Sequence, residues 1–222
     1  MKNLCAAWRE HALKKDGLKV RVGRWNIPGE PIVILVDFYP FFSKRNEIYG
    51  RMWEDFKVDS LHAYGDYDEA SMFSYAAGKV VESFYRFNLT ENDKVIYQAH
   101  EWMTGMGVPL FAESGTRNSY HFYYSRYFYR PVYRRKHNPL RLLFAYNGDQ
   151  MARELNMEAK HSIEKQTAHH VDVLLRSVRL PTRMQGVLDK PADVVLMNGF
   201  EDDLFRKVVH LPPSVRKLVL RC

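Results

Sequence analysis

The sequence predicts an α/β fold with a mainly parallel sheet. Three observations carry this. Ile32–Phe38 is a mostly apolar run of strand length, without the alternation of a half-exposed strand, and suits a strand buried on both faces. Further short strand-like runs alternate along the chain with helical stretches. Within the longest helical stretch, Ala76-Ala77-Gly78 is small enough to pack close against a sheet. At 222 residues, 46% of them apolar and 27% charged, the chain has the size of one domain and enough apolar side chains for a core.

Residues 3–15 read as a helix, with Leu4, Ala7, Trp8 and Leu13 near one face. Lys19–Trp25 alternates as a strand, and Ile27-Pro28-Gly29 is a turn before the apolar run. Asn46–Phe56 and Glu69–Phe87 are helical. Lys94–Ala99 is a short strand, and His100-Glu101-Trp102 stands at its C-terminal end. Gly148–Ala168 reads as one strong helix, with good formers and no Gly or Pro after its start. Val194–Leu196 is a last buried strand, followed by Asn198-Gly199. In open parallel sheets ligands bind outside the carboxyl ends of the strands, so both His100–Trp102 and Asn198–Gly199 are placed to line a site.

The charge is uneven. The net is +7, yet residues 110–143 carry +6, residues 173–187 carry +3 and residues 204–222 carry +5, which leaves −7 for the rest. An acidic protein is interrupted by three basic segments. Tyr120–Lys136 holds six of the 14 tyrosines and has no clean periodicity. Val173–Val187 and Leu204–Cys222 are also without period, and Pro212-Pro213 bars a helix in the last.

Several function classes drop out. No apolar run reaches membrane-spanning length, and the first thirty residues lack the apolar stretch of a signal peptide. Cys5 and Cys222 are too few for a disulfide scaffold, which points to a reducing cytoplasm. Asn88-Leu89-Thr90 fits a glycosylation sequon, which means little without a secretion signal. There is no Walker motif and no nucleophile elbow. His169-His170 has no third ligand at useful spacing, so no metal is expected. Asp37 and Asp66 are not spaced as an acid/base pair and read as a strand-end and a solvated loop carboxylate.

Five strings are specific together: VGRWNIPGEPIVILVDFYPFF at 22–42, YAAGKVVESFY at 75–85, QAHEWMTGMG at 98–107, GDQMARELNMEAKHSIEKQTAHHVD at 148–172 and DKPADVVLMNGFEDD at 189–203. In this order they resemble the bacterial glycogen synthases related to the animal and fungal enzymes. The resemblance covers about three fifths of the chain. It implies that residues 1–203 are an incomplete Rossmann-like N-terminal domain, on the acceptor side of a GT-B glycosyltransferase. The implied reaction is retaining transfer of glucose from a nucleotide glucose to the non-reducing end of an α-1,4-glucan. No cofactor is implied beyond the donor substrate, and the implied partners are glucan and donor, with neither nucleic acid nor membrane.

Carried over by position, His100, Glu101 and Trp102 match a His-Glu-Trp that lines the family's cleft, and Gly105 and Gly107 match glycines after it. Asn198 and Gly199 match a Pro-Asn-Gly turn, with Met197 in place of the proline. Glu164 matches a helix glutamate. A glycine loop that opens the family's first strand–helix unit would lie upstream of Met1, and the nucleotide-sugar domain is absent from these 222 residues. No catalytic residue is assigned, and the chain as written is expected to be inactive.

The basic segments fit a shifted reading frame. Phe122–His137, written as degenerate codons and read one base later, permits F-T-T-H-A-T-S-I-G-R-S-I-A-G-N, a family string; its histidine comes from bases of Ser125 and Arg126. Leu174–Thr182 read one base earlier permits F-T-T-V-S-E-I-T-N, and Leu204–Lys207 permits F-V-P-K. Segments 110–143 and 173–187 and the tail 204–222 are therefore read as out of frame. Regular structure is expected over 19–106 and 148–170, and poor order over 112–142 and 204–222. The alternative is a nucleic-acid-binding α/β protein whose Tyr/Arg tract stacks on bases and neutralises phosphates.

Overall fold

The computed structural model describes residues 5–90, 92–112, 119–124, 147–176 and 188–196. Helix α1 (Ala6–Lys15) is followed by β1 (Val20–Arg24) and β2 (Ile32–Val36), an antiparallel hairpin in which Val20 faces Val36 and Arg24 faces Ile32. A 3-10 turn (Tyr39–Lys44) leads into α2 (Arg45–Phe56), and α3 (Tyr67–Asn88) is the longest helix. Then come β3 (Ile96–His100), the short α4 (Glu101–Gly105) and α5 (Gly107–Ala112), and β4 (Ser119–Tyr124). Helices α6 (Gly148–Leu155) and α7 (Glu158–His169) precede β5 (Val173–Arg176) and β6 (Val194–Val195). Strands β3-β4-β5-β6 form one sheet in chain order, parallel at every pair.

The α/β architecture and its parallel sheet agree with the sequence reading, and several details do not. The hairpin is a separate two-stranded sheet, so β2 is not buried on both faces: Ile32 and Leu35 are exposed, while Ile34 and Val36 pack with Trp8, Leu18 and Val20. Leu35 lies on the face opposite Ile34 and Val36, and Ile32 shares their face but stands at the end of the strand away from that cluster. Val194 is likewise exposed, because β6 is a two-residue edge paired only with β5.

The expected single helix over 148–168 breaks at Asn156, which takes the left-handed conformation at φ 56°. The Asn156 and Met157 N–H groups donate back to Arg153 and Ala152. Asn tolerates this region, and the two bonds close the helix end as a glycine would.

Regular structure also reaches into the basic segments. Ser119–Tyr124 is an inner strand between β3 and β5, where poor order was expected over 112–142, and Val173–Arg176, at the start of the aperiodic run 173–187, is β5. Inner parallel strands need no alternation, and the aromatic and β-branched residues of both runs favour strands. Residues 125–146, 177–187 and 197–222 lie outside the described residues.

Within Ala76-Ala77-Gly78 the glycine packs on a helix start. A Cβ on Gly78 would lie 2.8 Å from the Gly107 Cα, so α3 packs on the start of α5 through two glycines. The Gly107 N–H donates to Ser74 Oγ at 3.0 Å across the same contact. α4 packs between α3 and α7, with α5 against α3, and this fixes the chain where it leaves β3. The largest core cluster, with Met52, Tyr67, Met72, Trp102, Met106 and Ile163, lies in the same place.

Candidate functional site at the end of the first sheet strand

β3 ends on exposed His100, as the sequence reading placed it. The chain then turns sharply, because Glu101 takes φ 61°, a conformation that L residues other than Asn and Asp seldom adopt. Thr104 holds the turn from within α4. Its Oγ1 accepts the His100 N–H at 2.6 Å and its hydroxyl donates to the His100 carbonyl at 2.6 Å. The Gln98 side-chain N–H donates to His100 Nε2 at 2.9 Å, which puts the ring proton on Nδ1. His100 is thus an oriented, solvent-facing imidazole at the carboxyl end of a parallel strand.

Trp102 was expected to line a cleft, and its ring is instead inside the core, 6% exposed. It lies parallel to Tyr67 at 6.1 Å between centroids, and Lys160 Nζ sits 4.3 Å from its ring centre. Lys160 in turn pairs with Asp66 at 2.6 Å. Asp66 is therefore an ion-pair partner at the start of α3, and not a merely solvated loop carboxylate. The Lys160 hydrogen bond holds its carboxyl below the usual range. Sequence reasoning missed Lys160, although Lys160, Ile163, Glu164 and Thr167 recur at the spacing of one helix face, and all four are buried.

Gly105 and Gly107 are packing glycines. A Cβ at Gly105 would lie 2.7 Å from Thr167 Oγ1 and 2.9 Å from Ile163 Cγ2, against α7. Glu101 is half-buried between these contacts and solvent. Asn198 and Gly199 lie outside the described residues, so the structure brings His100, Glu101, Trp102 and Gly105 together without them. His169 Nε2 donates to the Leu188 carbonyl at 3.0 Å, and His170 Nδ1 to that of Gln166 at 2.7 Å. Among the described residues, no three His, Cys, Asp or Glu side chains are grouped to hold a metal ion.

A second polar cluster ties α6 to α7. Buried His161 donates through Nε2 to Asp149 Oδ1 at 3.0 Å, and Lys165 bridges Asp149 at 2.9 Å and Asp189 at 2.6 Å. Burial pushes the Asp149 carboxyl up, but the Lys165 and His161 hydrogen bonds outweigh it, so it titrates below its usual range. Burial also lowers His161, against the pull of Asp149. Both groups have a folded pKa below the unfolded one. Each therefore contributes stability that is present above its unfolded pKa, near 6.5 for His and 3.9 for Asp, and is lost as pH falls. Asp149→Asn should cost about 0.5–1 kcal/mol near neutral pH and, because it removes the pull that holds the His161 pKa up, steepen the loss of stability as pH falls from ~7 to ~4, read as urea midpoints. An unchanged acid limb would count against the cluster as its source.

A family model described as glycogen synthase matches residues 4–211. Among curated proteins, the chain is 26% identical over 208 residues to a glycogen [starch] synthase of Dictyostelium discoideum, covering 88% of this chain and 22% of that protein. It is 28% identical over 99 residues to a glycogen [starch] synthase of Neurospora crassa, covering 45% of this chain and 14% of that one. A Caenorhabditis elegans glycogen [starch] synthase is 28% identical over 93 residues, covering 42% and 14%. The chain thus spans about a fifth or less of the length of these relatives.

Proposed function

The chain belongs to the glycogen synthase family, and we propose that it carries the acceptor-side part of an enzyme that transfers glucose from a nucleotide glucose to the non-reducing end of an α-1,4-glucan. The observation that carries this reading is an oriented His100 at the carboxyl end of β3, inside the stretch that matches the family model. None of these three relatives is named as a nucleic-acid binder, and the Tyr/Arg-tract reading gains no support from them.

The sheet would be the incomplete Rossmann-like N-terminal domain of a two-domain GT-B transferase, its β3 end facing the cleft. In the transfer, the bond from the glucosyl C1 to the donor phosphate oxygen breaks and a bond from C1 to the acceptor O4 forms, with configuration retained. The leaving diphosphate needs cationic groups that the family places in the other domain. His100 would orient the sugar through Nδ1–H, while Trp102 and Gly105 hold His100 from behind. This division of labour explains why two of the matched positions are buried.

The test is glucan binding by the 222-residue chain, followed by NMR with maltoheptaose. Trp102→Ala is the wrong variant, since it opens a core cavity. His100→Ala removes the proposed contact and leaves the core intact. The expected result is weak, millimolar-range binding that perturbs His100 and Thr104 and falls at least tenfold in His100→Ala. Binding that is indifferent to His100→Ala, or no binding at all, would overturn the assignment.

A further inference from the structure

We propose that a groove between α2 and the start of α3 is a second saccharide site, apart from the His100 turn, and that it holds a stretch of neutral glucan through Trp53 and the Arg45–Asp68 pair. The groove has a volume of about 510 Å³, inside the ~300–1,000 Å³ range of small-ligand pockets. Arg45, Tyr49 and Trp53 recur at a spacing of four along α2 and so form one stripe of that helix. Asp68, in the first turn of α3, and Leu61, on the connection between the helices, complete the lining. No residue of the turn from His100 to Gly105 is part of it.

The groove joins a bare apolar surface to a fixed polar pair. Trp53 is 52% exposed and Leu61 90% exposed. Leu61 is nevertheless tied down: its N–H donates to Asp59 Oδ1 at 2.9 Å, and the Asp59 N–H donates to Ser162 Oγ on α7 at 2.7 Å. Lys57 Nζ stands 5.7 Å from the Trp53 ring centre, which steadies the indole. Asp68 is held from two sides, since Oδ1 accepts the Tyr49 hydroxyl at 2.8 Å and Oδ2 accepts Arg45. A guanidinium has five N–H donors and a carboxylate about four acceptor sites, so both keep capacity after pairing. A donor and an acceptor thus stand in fixed positions near an aromatic ring. A pyranose suits this arrangement, because its hydroxyls donate and accept at once and its C–H faces cover apolar surface.

Charge selects against anions. The lining sets Arg45 against Asp59 and Asp68, one cation against two carboxylates, so a phosphate-bearing ligand stacked on Trp53 would be repelled. That the saccharide is an α-1,4-glucan rests on the proposed function. A polymer held in the groove and at the strand end would make its second contact at raised effective concentration.

The test is an NMR titration of the 222-residue chain with maltoheptaose. The groove is read at the Trp53 indole N–H and the Leu61 amide, and the strand end at His100 and Thr104. Trp53 and Leu61 should shift with a millimolar-range dissociation constant. That constant should hold within about twofold in His100→Ala, and between about 50 and 500 mM salt, because the ligand is neutral. Trp53→Ala should weaken the Leu61 response at least about tenfold, and Asp68→Asn at least about fivefold. Should Trp53→Ala fail to fold, Asp68→Asn decides. Silent Trp53 and Leu61 overturn the proposal: if His100 still responds, the glucan reading stands without the groove, and if His100 is silent too, both fall. A Trp53 response to uridine diphosphate glucose that exceeds the one to maltoheptaose and fades with salt would also overturn it, by making the groove an anion site.

Discussion

Gly107→Ala should lower stability by about 3 kcal/mol, the upper end of what an inserted methyl costs in a packed interior. The added Cβ would lie 2.5 Å from the Ser74 carbonyl oxygen, 2.7 Å from the Tyr97 hydroxyl and 3.0 Å from the Gly78 N. Two of these three atoms are backbone, and they belong to the 22-residue helix α3, so they cannot swing away as a side-chain end would. Relief requires α3 and α5 to separate, which also breaks the 3.0 Å bond from the Gly107 N–H to Ser74. A loss of that size is a large share of the 5–15 kcal/mol typical of a domain. The control is Gly50→Ala in α2, where an added Cβ meets nothing within 4 Å and helix propensity favours alanine by roughly 0.5–1 kcal/mol. Urea midpoints of the two variants should move in opposite directions. A Gly107→Ala midpoint within error of the parent would mean that the two-glycine contact is not what sets the distance between these helices.

The same contact marks how far the fold was legible in the sequence. Ala76-Ala77-Gly78 announces a close approach but not its partner, and the partner is a helix start 29 residues on, where the sequence reading put a sheet. Elements whose pattern is local were readable to within a few residues, as with α1, β1, α2 and α3. What escaped depends on neighbours. Ile32–Val36 has the composition of a doubly covered strand, and only its pairing with β1 alone exposes Ile32 and Leu35. Ser119–Tyr124 lacks alternation because it is an inner parallel strand, the one setting that erases the signal. At the site, His100 was legible from its place after an apolar run. Trp102 was not, because an aromatic beside a histidine reads the same whether it faces a cleft or the Tyr67 ring. Lys160 and Glu164 were visible as neighbours on one helix face, but both are buried, and that Lys160 pairs with Asp66 there depends on a residue that arrives from elsewhere in the chain.

The 222-residue chain on its own should incorporate no measurable labelled glucose into glycogen, and the repaired coding sequence, within a chain of the relatives' full length, should do so. The first half follows from charge. Removing a single group that stabilises a leaving anion typically costs on the order of 10²–10³ in rate, and in the proposed division of labour those groups lie outside this stretch, which spans 22% of the Dictyostelium discoideum relative. The second half rests on where the neighbouring frame would put its residues. Read one base later, the F-T-T of the family string falls on Phe122, Tyr123 and Tyr124, the last three residues of β4. Threonine and phenylalanine favour strands as tyrosine does, so β4 survives in either frame. In the register, Tyr123 stands beside His100, and the restored histidine would come one position after Tyr124, at the carboxyl end of the strand next to His100. The present frame supplies Ser125 and Arg126 in place of that histidine. Repair would also remove much of the +6 carried by residues 110–143, returning the segment toward the acidic balance of the rest. The assay compares three proteins: the chain as given, the full-length chain with 110–143 in the present frame, and the same chain repaired. Turnover only in the third supports the shifted frame and its histidine. Turnover in the second would show that the present Tyr/Arg segment is compatible with the chemistry, and turnover in the first would mean that the groups carrying the reaction lie within these 222 residues.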